Sequence, residues 1–174
     1  MQKLGVFFNA SVLKARGWTL LELMACLVTL TLVIGMASPA WQVWVARMQL
    51  ETARDTLMND VQTARVQALQ MGSALKLVRM QGCAWASADS SDWSCGWQLQ
   101  RKDTQEVLRS HAIDAPLQLR MANAKELTIG VRGELGSVGT RWNLRGLNSS
   151  SDWQCVVCLN SAGRLRWQTG AACS

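Results

Sequence analysis

Arg164 and Arg166 are the residues whose type and spacing best suit a chemical task in this chain of 174 residues. They stand in the run Gly163-Arg164-Leu165-Arg166. In an extended strand, side chains two apart point the same way and lie ~6.5 to 7 Å apart. Two guanidinium groups at that separation match successive phosphates along a nucleic-acid strand, and each can hold an anion through two N–H donors. Gly163 allows close backbone approach or a sharp turn. Trp167 falls on the opposite face and reads as core rather than as a platform for a stacked base. Arg141 and Arg145, four apart, and Arg132 extend the basic surface. From residue 120 onward there are seven basic and three acidic side chains, so the positive excess is concentrated there. The plainer account of any one of these arginines is a solvated charge or a salt bridge.

Glu22 is the second informative residue. Residues 23–46 carry no charge, a run long enough at ~1.5 Å per residue to cross the ~30 Å core of a bilayer as a helix. A carboxylate at the head of such a run is costly unless neutralised. An α-amino group released by cleavage just upstream, on this or a neighbouring subunit, would serve. Lys3, Lys14 and Arg16 precede the run, which places that end in the cytoplasm and the remainder outside it. Trp41 and Trp44 mark the outer end as interfacial anchors.

Other chemistry is thin. His111 is the single histidine, so no histidine-based triad or metal site can be assembled, and no nucleophile, base and oxyanion donors group together. The sequence predicts no enzyme and no cofactor. Cys155 and Cys158 have the spacing of a redox or zinc pair but lie in a strand-like segment, without the helix N-terminus that lowers a thiol pKa. Disulfides fit the inferred compartment better. Cys26 lies in the apolar run, leaving five cysteines beyond it. Cys83 and Cys95 bracket a Ser/Asp-rich loop and form a local pair. Cys173 staples to Cys155 or Cys158; the two face opposite ways in a strand and the pattern does not choose between them. Asp89 and Asp92 alone make a poor calcium site.

The elements that position these residues follow from periodicity. Leu50, Ala53, Leu57, Val61, Ala64 and Ala68 recur at spacings of three and four, with Arg47, Glu51, Arg54, Asp55 and Asp60 between them. The apolar run therefore continues as an amphipathic helix to about Met71, ended by Gly72-Ser73. Pro39 removes one ladder hydrogen bond and should kink it. Strand character then appears at residues 75–80, 96–100, 107–113, 117–121, 127–131, 141–144, 153–159 and 165–168, the last two forming a hairpin turned by residues 160–163. The economical arrangement is α+β, one long helix packed on an antiparallel sheet domain. Residues 81–92 form a disulfide-bounded loop; Trp85 within it and Trp93 at its end are the tryptophans expected to be exposed, and residues 146–152 form a Gly/Asn/Ser connection.

Gly17, the apolar Trp18, Glu22 four positions later and Pro39 together resemble the signal of type IV pilins and type II secretion pseudopilins. The run 163–166 likewise matches the Gly-Arg-x-Arg motif of the GspH/FimT-type minor pilins. The resemblance implies four segments: a leader at 1–17, a transmembrane half-helix at 18–46, a periplasmic half-helix at 47–72 and a β-rich domain at 73–174. It further implies cleavage after Gly17 by a prepilin peptidase, methylation of Trp18, and roles for Glu22 and Pro39 in assembly with other major and minor pilins or pseudopilins. Before assembly the chain would sit in inner-membrane lipid. Removing residues 1–17 from 174 leaves 157, with 15 basic and 12 acidic side chains, 12 of the basic ones arginine. The DNA-binding branch of the family implies double-stranded DNA as a partner of Gly163, Arg164 and Arg166, for uptake in natural transformation. A pilus-priming subunit without DNA affinity and a minor pseudopilin of type II secretion are the alternatives.

Overall fold

The computed structural model describes residues 19–136, 139–147 and 153–173, with the side chains of 36–40 left out. Gly17, Trp18 and most of the 146–152 connection lie outside the described residues. The chain divides into two compact units, one ending at Pro39 and the other beginning at Ala40.

Helix α1 spans Leu20–Met71. Thr19 starts it: the Glu22 amide donates to Thr19 Oγ1 at 3.2 Å, which places Glu22 at the third position of a capping sequence. From Leu23 to Gly35 the helix carries no charged side chain, and Leu20, Leu21, Met24, Val28, Val33 and Ile34 are all more than half exposed. Pro39 lies within α1, where it has no N–H to give to the ladder. Among the described residues no helix is long and apolar enough to cross a membrane. In the second unit the periodic face is buried as the spacing predicts, with Leu57, Val61, Ala64 and Ala68 wholly inaccessible. Gly72, at φ 59°, takes the left-handed conformation that closes the helix.

Among the described residues eight strands follow: β1 (Leu75–Arg79), β2 (Gly96–Arg101), β3 (Val107–Ala112), β4 (Leu117–Ala122), β5 (Glu126–Ile129), β6 (Arg141–Gly146), β7 (Gln154–Leu159) and β8 (Leu165–Thr169). They form not one sheet but two four-stranded antiparallel sheets, ordered β3-β2-β1-β5 and β4-β6-β7-β8. Strand alternation accounts for the burial. Leu77 lies between Leu99 and Leu127 across the first sheet, and Leu144 between Leu119 and Cys155 across the second. All six are buried in one cluster with the apolar face of α1. Burying each such leucine contributes roughly 1.5–3 kcal/mol.

Two tryptophans depart from expectation. Trp93 is fully buried and meets Trp142 edge to face at 6.2 Å between centroids, because the loop that carries it folds inward against β4. Trp167 is 46% exposed, because β8 is an edge strand; Arg54, itself buried, lies over its ring at 3.9 Å. Trp85 is half-buried, its Nε1 donating to the Ser94 carbonyl.

Candidate nucleic-acid interface

β7 and β8 close through a loop of five residues, Asn160 to Arg164, and local chemistry explains its shape. Asn160 Oδ1 accepts from the amides of Ala162 and Arg164, at 3.1 and 2.8 Å. The Gly163 amide returns to the Asn160 carbonyl at 3.0 Å. Gly163 sits at φ 73°, a left-handed conformation that opposes any other residue there. A helix residue anchors the turn: Arg65 donates from Nε to the Gly133 carbonyl at 2.9 Å and from a terminal nitrogen to the Gly163 carbonyl at 3.1 Å. Nothing in the periodicity of α1 singles out Arg65, since its partners lie 68 and 98 residues away.

Arg164 and Arg166 leave this turn exposed. Neither side chain has a hydrogen bond or ion pair with any described residue. The register brings a third arginine beside them, because Arg141 on β6 lies opposite Cys158 on β7, and Cys158 lies opposite Arg166 on β8. Residues directly opposite in antiparallel strands share a face. Arg141 and Arg166 therefore stand on the outer face of the second sheet, ~9.5 Å apart at ~4.8 Å per strand. With Arg164 they line one surface groove of about 430 Å³. Arg141 Nε is buried there and makes no hydrogen bond.

The other two arginines are placed apart. Arg145 is exposed on the same face, at the far end of β6, opposite Gln118 and Gln154. Arg132 lies in a different depression, with Arg65, Glu134 and the tip of the turn, and Glu134 accepts from its backbone amide. Glu22 is exposed in the first turn of α1, in the other unit.

Two disulfides are present, Cys83–Cys95 and Cys158–Cys173. Cys158 pairs because it lies on the outer face, where the tail after β8 returns; Cys155 faces inward and is buried. Burial pushes the Cys155 thiol up to about 11, which keeps it protonated. The Asp92 carboxylate is engaged by protein donors, accepting from the amides and hydroxyls of both Ser87 and Ser94. Burial raises its pKa, but those four hydrogen bonds outweigh burial and leave it lowered. Asp89 pairs with Arg120.

A three-arginine groove on the outer face of a sheet, beside a helix-anchored turn, can hold a row of phosphates. The family is shown by sequence: residues 53–163 match the model for the type II transport protein GspH. The chain belongs to the GspH family. Its fold is shared with the type IV minor pilin FimU of Pseudomonas aeruginosa, at 21% identity and TM-score 0.58 over 74% of this chain and 97% of that one. The minor pseudopilin EpsH of Vibrio cholerae is similar at 13% identity and TM-score 0.52, over 70% of this chain and 97% of that one. No curated protein matches the chain significantly in sequence. As a GspH-family member it is a minor pilin or pseudopilin, of the kind that serves type IV pili or type II secretion, and it assembles with other subunits of that class. Family and fold are those of structural pilins rather than enzymes.

Proposed function

We propose that this GspH-family protein is a minor pilin of a type IV pilus that binds DNA without sequence preference through the Gly163-to-Arg166 hairpin, for uptake in natural transformation. The observation that carries this reading is the set of Arg164, Arg166 and Arg141 in one groove, with no carboxylate paired to any of them among the described residues. Guanidinium groups that served the fold would be expected to have partners, as Arg109 does with Asp60 at 3.2 Å. Contacts to phosphate give affinity without base readout.

The same reading includes cleavage after Gly17, methylation of Trp18, and insertion of the apolar half of α1 in the inner membrane with the β domain in the periplasm. The exposure of the uncharged, largely apolar residues 23–35 supports it, because a helix of that kind needs a non-aqueous partner. In an assembled fibre Glu22 would meet the new amino terminus of this or a neighbouring subunit.

The test is DNA binding by the intact chain in neutral detergent over a salt series, beside Arg164→Ala, Arg166→Ala with matched folding. Weaker binding with rising salt, and a lower slope in the variant, supports the reading. Equal binding by both proteins refutes it. A second reading, a minor pseudopilin of type II secretion, is favoured by the family model itself; it expects no DNA affinity and co-assembly with pseudopilins. Both readings expect a Gly17→Asp variant to keep its full-length mobility on a gel.

A further inference from the structure

We propose that the Cys158–Cys173 disulfide is the positioning element of the arginine groove, holding the C-terminal tail as the wall between Arg141 and Arg166 so that three arginines act as one anion site. The inference rests on the DNA-binding reading above and adds to it how the site is held together.

Register carries the argument. Cys158 occupies the position directly between Arg141 and Arg166, in the same row and on the same face. Its bond to Cys173 brings the tail back over that face. The ladder ends where the Gly170 amide donates to the Gln154 carbonyl at 2.9 Å, and Gly170, at φ 104°, adopts the left-handed conformation that lets the chain leave the strand there. Gln168 Nε2 then donates to the Ala172 carbonyl, and Cys158, Gln168 and Cys173 all line the arginine groove. Val156 gives an independent sign of cover. It shares the outer face, one row along between Asn143 and Gln168, and is fully buried, yet it stands outside the core cluster. Among the described residues the tail is pinned to that side through Cys173.

Residues 170–172 are Gly, Ala and Ala. Such a wall brings no competing charge and little bulk, so a phosphate backbone can approach the flanking arginines closely. Without the disulfide the tail is free and β8 is an edge strand held on one side only. Cys155 offers no replacement, because it points into the core.

Each phosphate contact contributes ~0.9 to the salt slope, which amounts to about five-fold in affinity at about 0.15 M salt relative to 1 M. The intact chain in neutral detergent is titrated with a short labelled duplex over a salt series. Cys158→Ser, Cys173→Ser is expected to lose about five-fold or more in affinity and ~0.9 of slope. Arg141→Gln is expected to lose the same in the wild-type background and nothing further in the cysteine variant. Cys83→Ser, Cys95→Ser, which leaves the groove untouched, should bind as wild type. Wild-type affinity and slope in the Cys158, Cys173 variant overturn the proposal. Should that variant fail to fold, the folded Cys83→Ser, Cys95→Ser chain is reduced with dithiothreitol: loss of binding that returns on reoxidation supports the proposal, and unchanged binding overturns it. If Arg164→Ala, Arg166→Ala also binds as wild type, the DNA reading itself has failed, and the two failures are distinguished.

Discussion

The segment stapled by Cys83–Cys95 and the one stapled by Cys158–Cys173 are both polar excursions with charged side chains, and they use those charges in opposite ways. In the first, charge is spent inside the fold. Asp92 accepts from Ser87 and Ser94, Ser94 Oγ accepts from the Leu119 amide at 3.0 Å, and Asp89 pairs with Arg120. The loop backbone joins β4 as well, through Trp93 N to Leu119 O at 2.7 Å and Met121 N to Ser91 O at 2.9 Å. It covers an edge strand that would otherwise be open. In the second segment Arg164 and Arg166 have no partner among the described residues, and the hydrogen bonds go to the backbone of the turn that presents them. A charge in water is stable with or without a partner. The contrast therefore teaches that the loop is a plug and the hairpin a presentation device.

The sharpest way to break that comparison is Asp92→Ala. Removing a buried carboxylate leaves the donors of Ser87 and Ser94 unsatisfied, so a loss of about 3 kcal/mol or more in folding stability is expected from denaturant unfolding. DNA binding by the surviving folded fraction should be unchanged. A neutral effect on stability would mean that the loop is not the plug described.

Next come the two disulfides, treated alike. They close sequence separations of 12 and 15 residues, so removing either should cost about 3 kcal/mol by chain entropy. Similar stability losses with a difference in DNA affinity would locate function in one staple alone. Calorimetry on both serine pairs, beside the binding titration, reads this directly.

Arg164→Ala, Arg166→Ala inverts the pattern. Two lost contacts correspond to about thirty-fold in affinity at about 0.15 M salt, or ~2 kcal/mol of binding, with no measurable change in melting temperature. A drop in stability instead would show that the arginines serve the fold or a neighbouring subunit.

Much of this architecture is legible in the sequence, and the remainder fails for identifiable reasons. The helix face from Leu50 to Ala68, its end at Met71 and all eight strands follow from local periodicity and from Gly72. The division into two sheets does not, because strand order depends on pairings such as β1 with β5 and β4 with β6, which local patterns do not encode. The choice of Cys158 over Cys155 needed the side on which the tail returns. Trp93 is buried against expectation because its Ser/Asp-rich context, which reads as solvent, is a hydrogen-bonded plug. Trp167 is exposed for the converse reason, since an inward-facing residue on an edge strand is only half covered. Gly163, Arg164 and Arg166 were visible as a motif, whereas Arg65, which holds their turn, was visible only in three dimensions.

Arg65→Ala tests that hidden support. Two backbone carbonyls lose a charged donor in a half-buried setting, so about 1.5 kcal/mol of stability is expected to go. DNA affinity should fall a few-fold through misplacement of Arg164. Arg65→Lys retains charge but cannot reach both carbonyls with a planar fork, so it should rescue little. Full rescue by lysine would mean that Arg65 acts through charge alone.

The smallest expected effect is on pH. The Asp92 pKa is lowered from 3.8 despite burial, because Ser94 and Ser87 hydrogen bonds favour the ionised form. A carboxylate with a depressed folded-state pKa stabilises the fold above its unfolded value and loses that contribution as pH falls through the folded value. Wild-type melting temperature should therefore decline from about pH 5 downward more steeply than that of Asp92→Asn, which starts lower and has no such proton to gain. Salt-corrected DNA binding should stay flat over the upper part of that range, since guanidinium groups keep their charge throughout. A matching acid loss of stability in Asp92→Asn would assign the titration elsewhere. The plug would then owe its hold to its backbone bonds with β4 rather than to its charge.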